Sequence, residues 1–256
     1  MIPLVVPPLT NLRVMVTRPA LQSKSLCNAI VKLGGEAIRF PVLEIQARAV
    51  SLVATHYDLV IFVSANAVVH GASLLSQITL PPQIAVIGNA TAAALKEKGF
   101  ASTIVAAAPF NSESLLHHAA LQSPPKSILL IKGVGGRDAL QETLLARGAQ
   151  VETVEVYERV TATVDKDDLS VVQRALREAA IHVITLTSAD IAQALTSLLN
   201  ETDLAMVRRC AVLAGSQRIA AQLPSMGWRS ECVVSESPDD ESMLKALTRW
   251  HSRSRG

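Results

Sequence analysis

Four stretches recur along the chain in the same order, and a repeat of this long period constrains architecture before any local detail does. "VTRPALQSKSLCNAIVKLGGEAIRFPVLEI" resembles "IKGVGGRDALQETLLARGAQVETVEVYERV", with Gly34 over Gly148 and Glu44 over Glu158. "LVIFVSANAV" resembles "VITLTSADIA", with Ser64, Ala65 and Asn66 over Ser188, Ala189 and Asp190. "IAVIGNATAAAL" resembles "CAVLAGSQRIAAQL", and "FNSESLL" resembles "PDDESML". The order implies an internal duplication into two half-domains of similar content, each with about five strands. It leaves open which strand joins which sheet, because a duplicated chain can exchange its first units.

Within each copy, strand-like and helix-like patterns alternate. "LRVMVT" is a short β-rich run, followed by a segment in which Leu26, Ile30 and Leu33 recur at helical spacing. Pro19 suits a first helical turn and Gly34 a C-terminal stop. "SILLIK" is followed in the same way by Leu140, Leu144 and Leu145, then Gly148. Strand and helix in alternation predict an α/β fold of parallel sheets covered on both faces. Hydrophobic residues at 49% against 18% charged are enough to build such cores.

The same composition excludes several classes. No apolar run approaches the roughly 20 residues of a membrane span. The opening "MIPLVVPPLT" is short, broken by proline and lacks a basic start, so it does not read as a signal peptide, and the cytosol is expected. A net charge of +2 and 3% aromatics predict no extended nucleic-acid surface, with little to stack bases on. Cys27, Cys210 and Cys232 form no C-x-x-C pair and are expected to be buried free thiols. The histidines are scattered, and neighbours His117 and His118 cannot serve one metal from one helix face, so no metal site is expected.

One loop invites a nucleotide reading. Residues 129–138, "LLIKGVGGRD", run from a strand through Gly133, Gly135 and Gly136 toward a helix. The dinucleotide fingerprint requires glycine or alanine where Asp138 stands, and an aspartate there would face the phosphates. Two readings remain: a cradle of backbone N–H groups for some other anion, or a tight strand-to-helix turn.

The repeated strands end in Ser64, Asn66, Thr187, Ser188 and Asp190, all good N-cap residues that can satisfy helix donors and do nothing more. In parallel sheets, however, the carboxyl ends of the strands share an edge where ligands bind. Two such edges facing each other would offer helix N-termini, hydroxyls, Arg18, Lys132 and Arg137 to one anionic ligand.

The ordered set "VMVTRP", "LGGEAIRFPVLEI", "IFVSANAV", "IAVIGNATAAAL", "LLIKGVGGRDAL", "GAQVETVEVYERV" and "ITLTSADI" resembles the uroporphyrinogen-III synthase family from about Leu12 to Trp250. The resemblance implies two flavodoxin-like parallel-sheet lobes, joined by two antiparallel linker strands. Carried over, one lobe is 1–40 with 162–256, the other is 50–151, and the linkers are 41–49 and 152–161. The implied reaction closes linear hydroxymethylbilane to uroporphyrinogen III with inversion of the terminal pyrrole ring and loss of water. It needs no cofactor and implies a monomer that binds a small tetrapyrrole, with neither nucleic acid nor membrane as partner.

The resemblance further implies a substrate-binding set of Thr17, Arg18, Ser64, Ala65, Asn66, Lys132, Gly133, Arg137, Thr187, Ser188, Ala189, Ser216 and Arg218. Tyr157, one of two tyrosines, stands where the family carries a tyrosine facing the cleft. It either hydrogen-bonds the departing hydroxyl as a weak acid or packs on the hinge. Two departures stand out. Lys132 replaces an arginine common in the family, turning a bidentate contact into a point charge. "AGSQRIA" replaces a threonine-bearing turn, leaving Ser216 and Arg218 as substitutes. The rival expectation is a two-lobed binding protein that closes on an anionic ligand without catalysis.

Overall fold

The computed structural model describes residues 6–79, 83–136 and 138–254. In chain order its strands are β1 (Arg13–Val16), β2 (Glu36–Arg39), β3 (Leu43–Ala47), β4 (Leu59–Phe62), β5 (Gln83–Val86) and β6 (Ile104–Val105), followed by β7 (Ser127–Gly133), β8 (Gln150–Thr161), β9 (Val183–Leu186), β10 (Ala211–Ala214) and β11 (Cys232–Val234). They form two sheets, ordered β11-β10-β9-β1-β2 and β3-β8-β7-β4-β5-β6. The chain divides into two compact units, one of residues up to Glu44 with those from Val160 on, the other Ile45–Arg159.

The first unit is built on a five-stranded, wholly parallel sheet. Its central strands β9 and β10 are buried at every position, as expected of strands covered on both faces. The period-2 alternation of a strand sends neighbours to opposite cores. Met15 joins Ile184, Leu186 and Val212 on one face, while Val14 and Val16 join Val183 and Leu213 on the other. Helix Ala20–Lys32 covers the second face with Leu26 and Ile30, beside Met243 and Leu247 of helix Asp240–Arg253. Helix Ala189–Leu198 covers the first face with Ile191, Ala192 and Leu195.

The second unit repeats this construction. Val60, Phe62, Leu129 and Ile131 face one core, and Leu59, Ile61, Ile128 and Leu130 face the other. Helix Ala65–Gly71 covers the first with Ala67 and Val68, and helix Ala139–Ala146 covers the second with Leu140 and Leu144. Its sheet has six strands, not the five expected, because β3 adds to the outer side of β8. Along that edge the N–H of Arg48 donates to Val156 O, and the N–H of Ala162 to Val42 O. Partner numbers fall on one strand as they rise on the other, so this pair is antiparallel.

Both sheets reverse direction in the same way. In the first unit the chain moves outward from β1 to β2, then returns to β9 on the other side of β1. In the second, β4, β5 and β6 run outward, and β7 and β8 return on the other side of β4. Each unit therefore has a topological switch point, β1/β9 in one and β4/β7 in the other, where adjacent connections leave in opposite directions and open a crevice at the carboxyl edge.

Three sequence expectations need correction. Ser64 and Ser188 cap their helices, whereas Asn66 and Asp190 lie inside the first turn and Thr187 precedes the cap, since only the serine oxygens reach the N–H three residues on. Leu145 is exposed, because its neighbour Leu144 takes the inward position on the 3.6-residue period. The cysteines are free, but Cys27 and Cys210 are half-buried and Cys232 is exposed on the edge strand β11.

Candidate active site

A cavity of about 340 Å³ opens at the carboxyl ends of β4, β5 and β7 in the second unit. Its wall includes Val63 and Ser64 after β4, Ile87 after β5, and Lys132 and Gly133 at the end of β7. It thus occupies the switch-point crevice, where parallel α/β sheets bind ligands.

Tyr157 reaches this cavity through a fault in the sheet. β7 and β8 pair in regular register from Ser127↔Gln150 to Lys132↔Glu155, but the next pair is Gly133↔Tyr157. One extra residue on β8 makes a bulge, a device that re-aims side chains near functional sites. As a result Val156 and Tyr157, adjacent in sequence, are both buried. Gly133 makes room for the ring: a Cβ there would lie 2.4 Å from Tyr157 Cζ, which no side chain can accept. The backbone closes the arrangement with Val134 N–H donating to Tyr157 O at 2.8 Å.

The phenol end is polar. Tyr157 OH lies 3.2 Å from Ser64 Oγ, which also accepts from Ala67 N–H at 3.1 Å as the helix cap. Arg159 Nη2 donates to the same phenol oxygen at 3.4 Å, and its guanidinium carbon stands 5.5 Å from the ring centroid. His70 is a further ring neighbour, 5.8 Å between centroids. A buried aromatic body with its hydroxyl on a polar cluster is equipped to donate a proton or hold an oxygen.

Lys132 is nearly buried, and its Nζ donates to Asp138 Oδ1 at 2.8 Å. The aspartate that breaks the dinucleotide fingerprint therefore anchors the one lysine of the loop. Gly135 and Gly136 both adopt left-handed backbone, φ 75° and 87°, with open space where a side chain would stand. The loop is thus a tight, glycine-dependent turn on the cavity wall. Arg137 lies outside the described residues.

The structure brings Ser64, Lys132, Gly133 and Tyr157 to one cavity; Ala65 and Asn66 begin the helix behind Ser64. The remaining candidates belong to the first unit, on its own carboxyl edge. Thr17 is fully buried: its N–H donates to Thr185 Oγ1 at 3.1 Å and its hydroxyl to Thr185 O. Arg18 is buried too, with Nη1 on Asp240 Oδ1 at 2.6 Å and Nη2 on Pro238 O. Both stitch the first unit together. Thr187, Ser188 and Ala189 follow β9 and are half-buried. Ser216 caps helix Gln217–Gln222 through Ile219 N–H at 3.4 Å, and Arg218 is exposed in its first turn.

Sequence reasoning passed over Phe110, Asn111, Gln141 and Arg159, which also line the cavity. Arg159 was within reach: two residues from Tyr157 on a strand, it shares that face. Phe110 and Asn111 sit in the repeated "FNSESLL", where Asn111 caps helix Ser112–Leu116 through Ser114 N–H at 2.8 Å. Nothing in residue pattern says that this turn returns to β7. Among the described residues no group of three or more His, Cys, Asp or Glu is placed to hold a metal.

Comparison with known proteins identifies the family and the fold. The family model described as Uroporphyrinogen-III synthase HemD matches residues 24–245. A uroporphyrinogen-III synthase of Salmonella typhimurium strain LT2 is 32% identical over 253 residues, covering 91% of this chain and 99% of its own. That of Escherichia coli K12 is 30% identical over 247 residues, with the same coverage. Among solved structures, uroporphyrinogen-III synthetase of Helicobacter pylori 26695 aligns with a TM-score of 0.60 at 15% identity, over 93% of this chain and 99% of that one. A mutant uroporphyrinogen III synthase of Thermus thermophilus aligns with a TM-score of 0.59 at 19% identity, over 94% and 99%. The likeness to these two structures is one of fold, mixed α/β with parallel sheets. On the family match and the two curated relatives together, the chain belongs to the uroporphyrinogen-III synthase family of lyases.

Proposed function

We propose that the chain closes hydroxymethylbilane to uroporphyrinogen III at the second unit's cavity, with Tyr157 as proton donor. The observation that carries this assignment is the Tyr157 hydroxyl, set by a bulge and a glycine beside the capping serine of a helix at a switch point. The phenol proton passes to the oxygen of the substrate's hydroxymethyl group. The C–O bond breaks with its electron pair on oxygen, water leaves, and the pyrrole nitrogen supplies electrons to the new azafulvene. The terminal ring attacks through its substituted carbon to give a spiro intermediate, which fragments and recloses with the ring inverted. The carbon that joins last loses its proton, and the phenol is restored.

Because this substrate closes unaided to the unrotated isomer, the protein's main task is control of geometry. Ser64, Ala65, Asn66, Lys132, Gly133 and Arg137 are read as contacts on the second unit's edge. Thr17, Arg18, Thr187, Ser188, Ala189, Ser216 and Arg218 are read as the corresponding set on the first. Backbone donors and hydroxyls predominate, which suits carboxylates that must be held without reacting.

The architecture is read as a duplication of a flavodoxin-like lobe with β3 and β8 as linker strands. What supports it is the shared order, β2-β1-β9-β10-β11 against β8-β7-β4-β5-β6, and the antiparallel bonds of β3 to β8. The protein is read as a cytosolic monomer that requires no cofactor and binds no nucleic acid; no helix of the described residues is long and apolar enough to cross a membrane. Incubation with freshly made hydroxymethylbilane and separation of the product isomers tests the activity. Type III product in excess supports it, and only the unrotated isomer, formed at the rate without protein, refutes it.

A further inference from the structure

Tyr157 is flanked by a cation that takes no direct part in the proton transfer. Arg159 is exposed, yet its guanidinium lies toward the phenol, with Nη2 3.4 Å from the hydroxyl oxygen and Cζ 5.5 Å from the ring centroid. A guanidinium has donors and no acceptor, so in this contact the phenol oxygen must accept. Ser64 Oγ already accepts from Ala67 N–H and retains one proton of its own to give. When that proton is directed at the phenol oxygen, 3.2 Å away, the phenol's single hydrogen is left for the cavity that Ser64, Tyr157 and Arg159 line together.

We infer that Arg159 is a positioning residue for the Tyr157 proton: it holds the phenol oxygen as an acceptor, turns its O–H toward the substrate's leaving hydroxyl, and stabilises the phenolate left behind. The inference rests on the assignment of Tyr157 as proton donor. The proton moves from Tyr157 to the hydroxymethyl oxygen, water departs, and the phenolate beside Arg159 is reprotonated by the proton that the macrocycle loses on closure. An opposite charge within about 4–6 Å favours the ionised form of its neighbour, and this is the service Arg159 performs. Among the described residues, Lys132 is held by Asp138, and His70 is a neighbour of the ring, 5.8 Å between centroids.

The test compares Arg159→Gln with Arg159→Lys, each alone and with Tyr157→Phe, using fresh hydroxymethylbilane. Arg159→Gln is expected to lower kcat about 10-fold with KM nearly unchanged, a smaller effect than removal of the acid itself, and Arg159→Lys to recover part of the loss. Added to Tyr157→Phe, neither should lower kcat further. An equal kcat loss in the Tyr157→Phe background, a loss confined to KM, or an Arg159→Lys variant no better than Arg159→Gln overturns the inference. Should Tyr157→Phe lower the rate while Arg159→Gln does not, the inference alone fails; should Tyr157→Phe keep the wild-type rate, the proton-donor assignment fails and the inference falls with it.

Discussion

Single residues set the chemistry of this fold by small clearances. Gly133 faces the Tyr157 ring so closely that Gly133→Ala must push the phenol out of place. A displacement of about 1 Å typically costs on the order of 100-fold in rate, so the variant should fold and lose most of its turnover, measured with fresh substrate. Two titrating residues act on stability instead. Asp239 accepts from Ser242 N–H at 2.9 Å as the cap of helix Asp240–Arg253, and that hydrogen bond, ahead of a smaller opposing effect of burial, holds its carboxyl below the usual value. A depressed carboxyl stabilises above its unfolded pKa, and that contribution is lost as pH falls through the folded one. Asp239→Ala should therefore cost about 1 kcal/mol near neutrality and less in acid, read from denaturant midpoints. His182 Nδ1 accepts from Arg13 N–H at 2.9 Å, and burial, with Arg13 adding to it, pushes the ring below its ordinary value. The unfolded chain then binds the proton first, so stability falls as pH drops below about 6.5. His182→Gln should flatten that part of the curve, and an unchanged slope would remove His182 as its cause.

At the scale of elements, what could be read from sequence is what depends on local pattern. The alternation in "RVMV" and "LVIF" sends successive residues to opposite cores, and the serines after β4 and β9 cap helices. The glycine loop could be read from sequence only as an anion cradle or a tight strand-to-helix turn, and its Asp138 turns out to hold Lys132. The bulge between β7 and β8 left only a trace in the sequence: the alternation of "VEVYERV" breaks at Val156–Tyr157, but the extra residue exists only relative to its partner strand. Nor was the engagement of Arg18 with Asp240, 222 residues away in sequence, visible from either segment. Thr187 follows a fully buried strand and precedes a cap that is already made by Ser188. Its hydroxyl is read as a substrate contact, so Thr187→Ala should weaken catalysis modestly, about 1 kcal/mol or some fivefold; complete loss with an intact fold would point to a direct chemical role.

For the whole molecule, the repeated order of strands explains why one chain presents two similar carboxyl edges. The first unit draws its β1–β2 segment from the start of the chain, while the second draws the matching β7–β8 segment from its own end. The alternation of strands and helices could be read from the sequence, but the pairing of strands into sheets could not, since it depends on contacts between residues far apart. Catalysis by residues of the chain alone predicts that turnover survives exhaustive chelation and dialysis; loss restored by a metal or a nucleotide would contradict it. The central claim is that a proton from Tyr157 drives departure of water. Its most direct measurement is the rate of Tyr157→Phe with fresh hydroxymethylbilane, corrected for spontaneous closure and set beside its melting temperature. The account predicts a rate lowered by about 100-fold, the lower end for a positioned acid because the pyrrole nitrogen already activates the leaving group, with stability nearly unchanged; a Phe variant at the wild-type rate would contradict it.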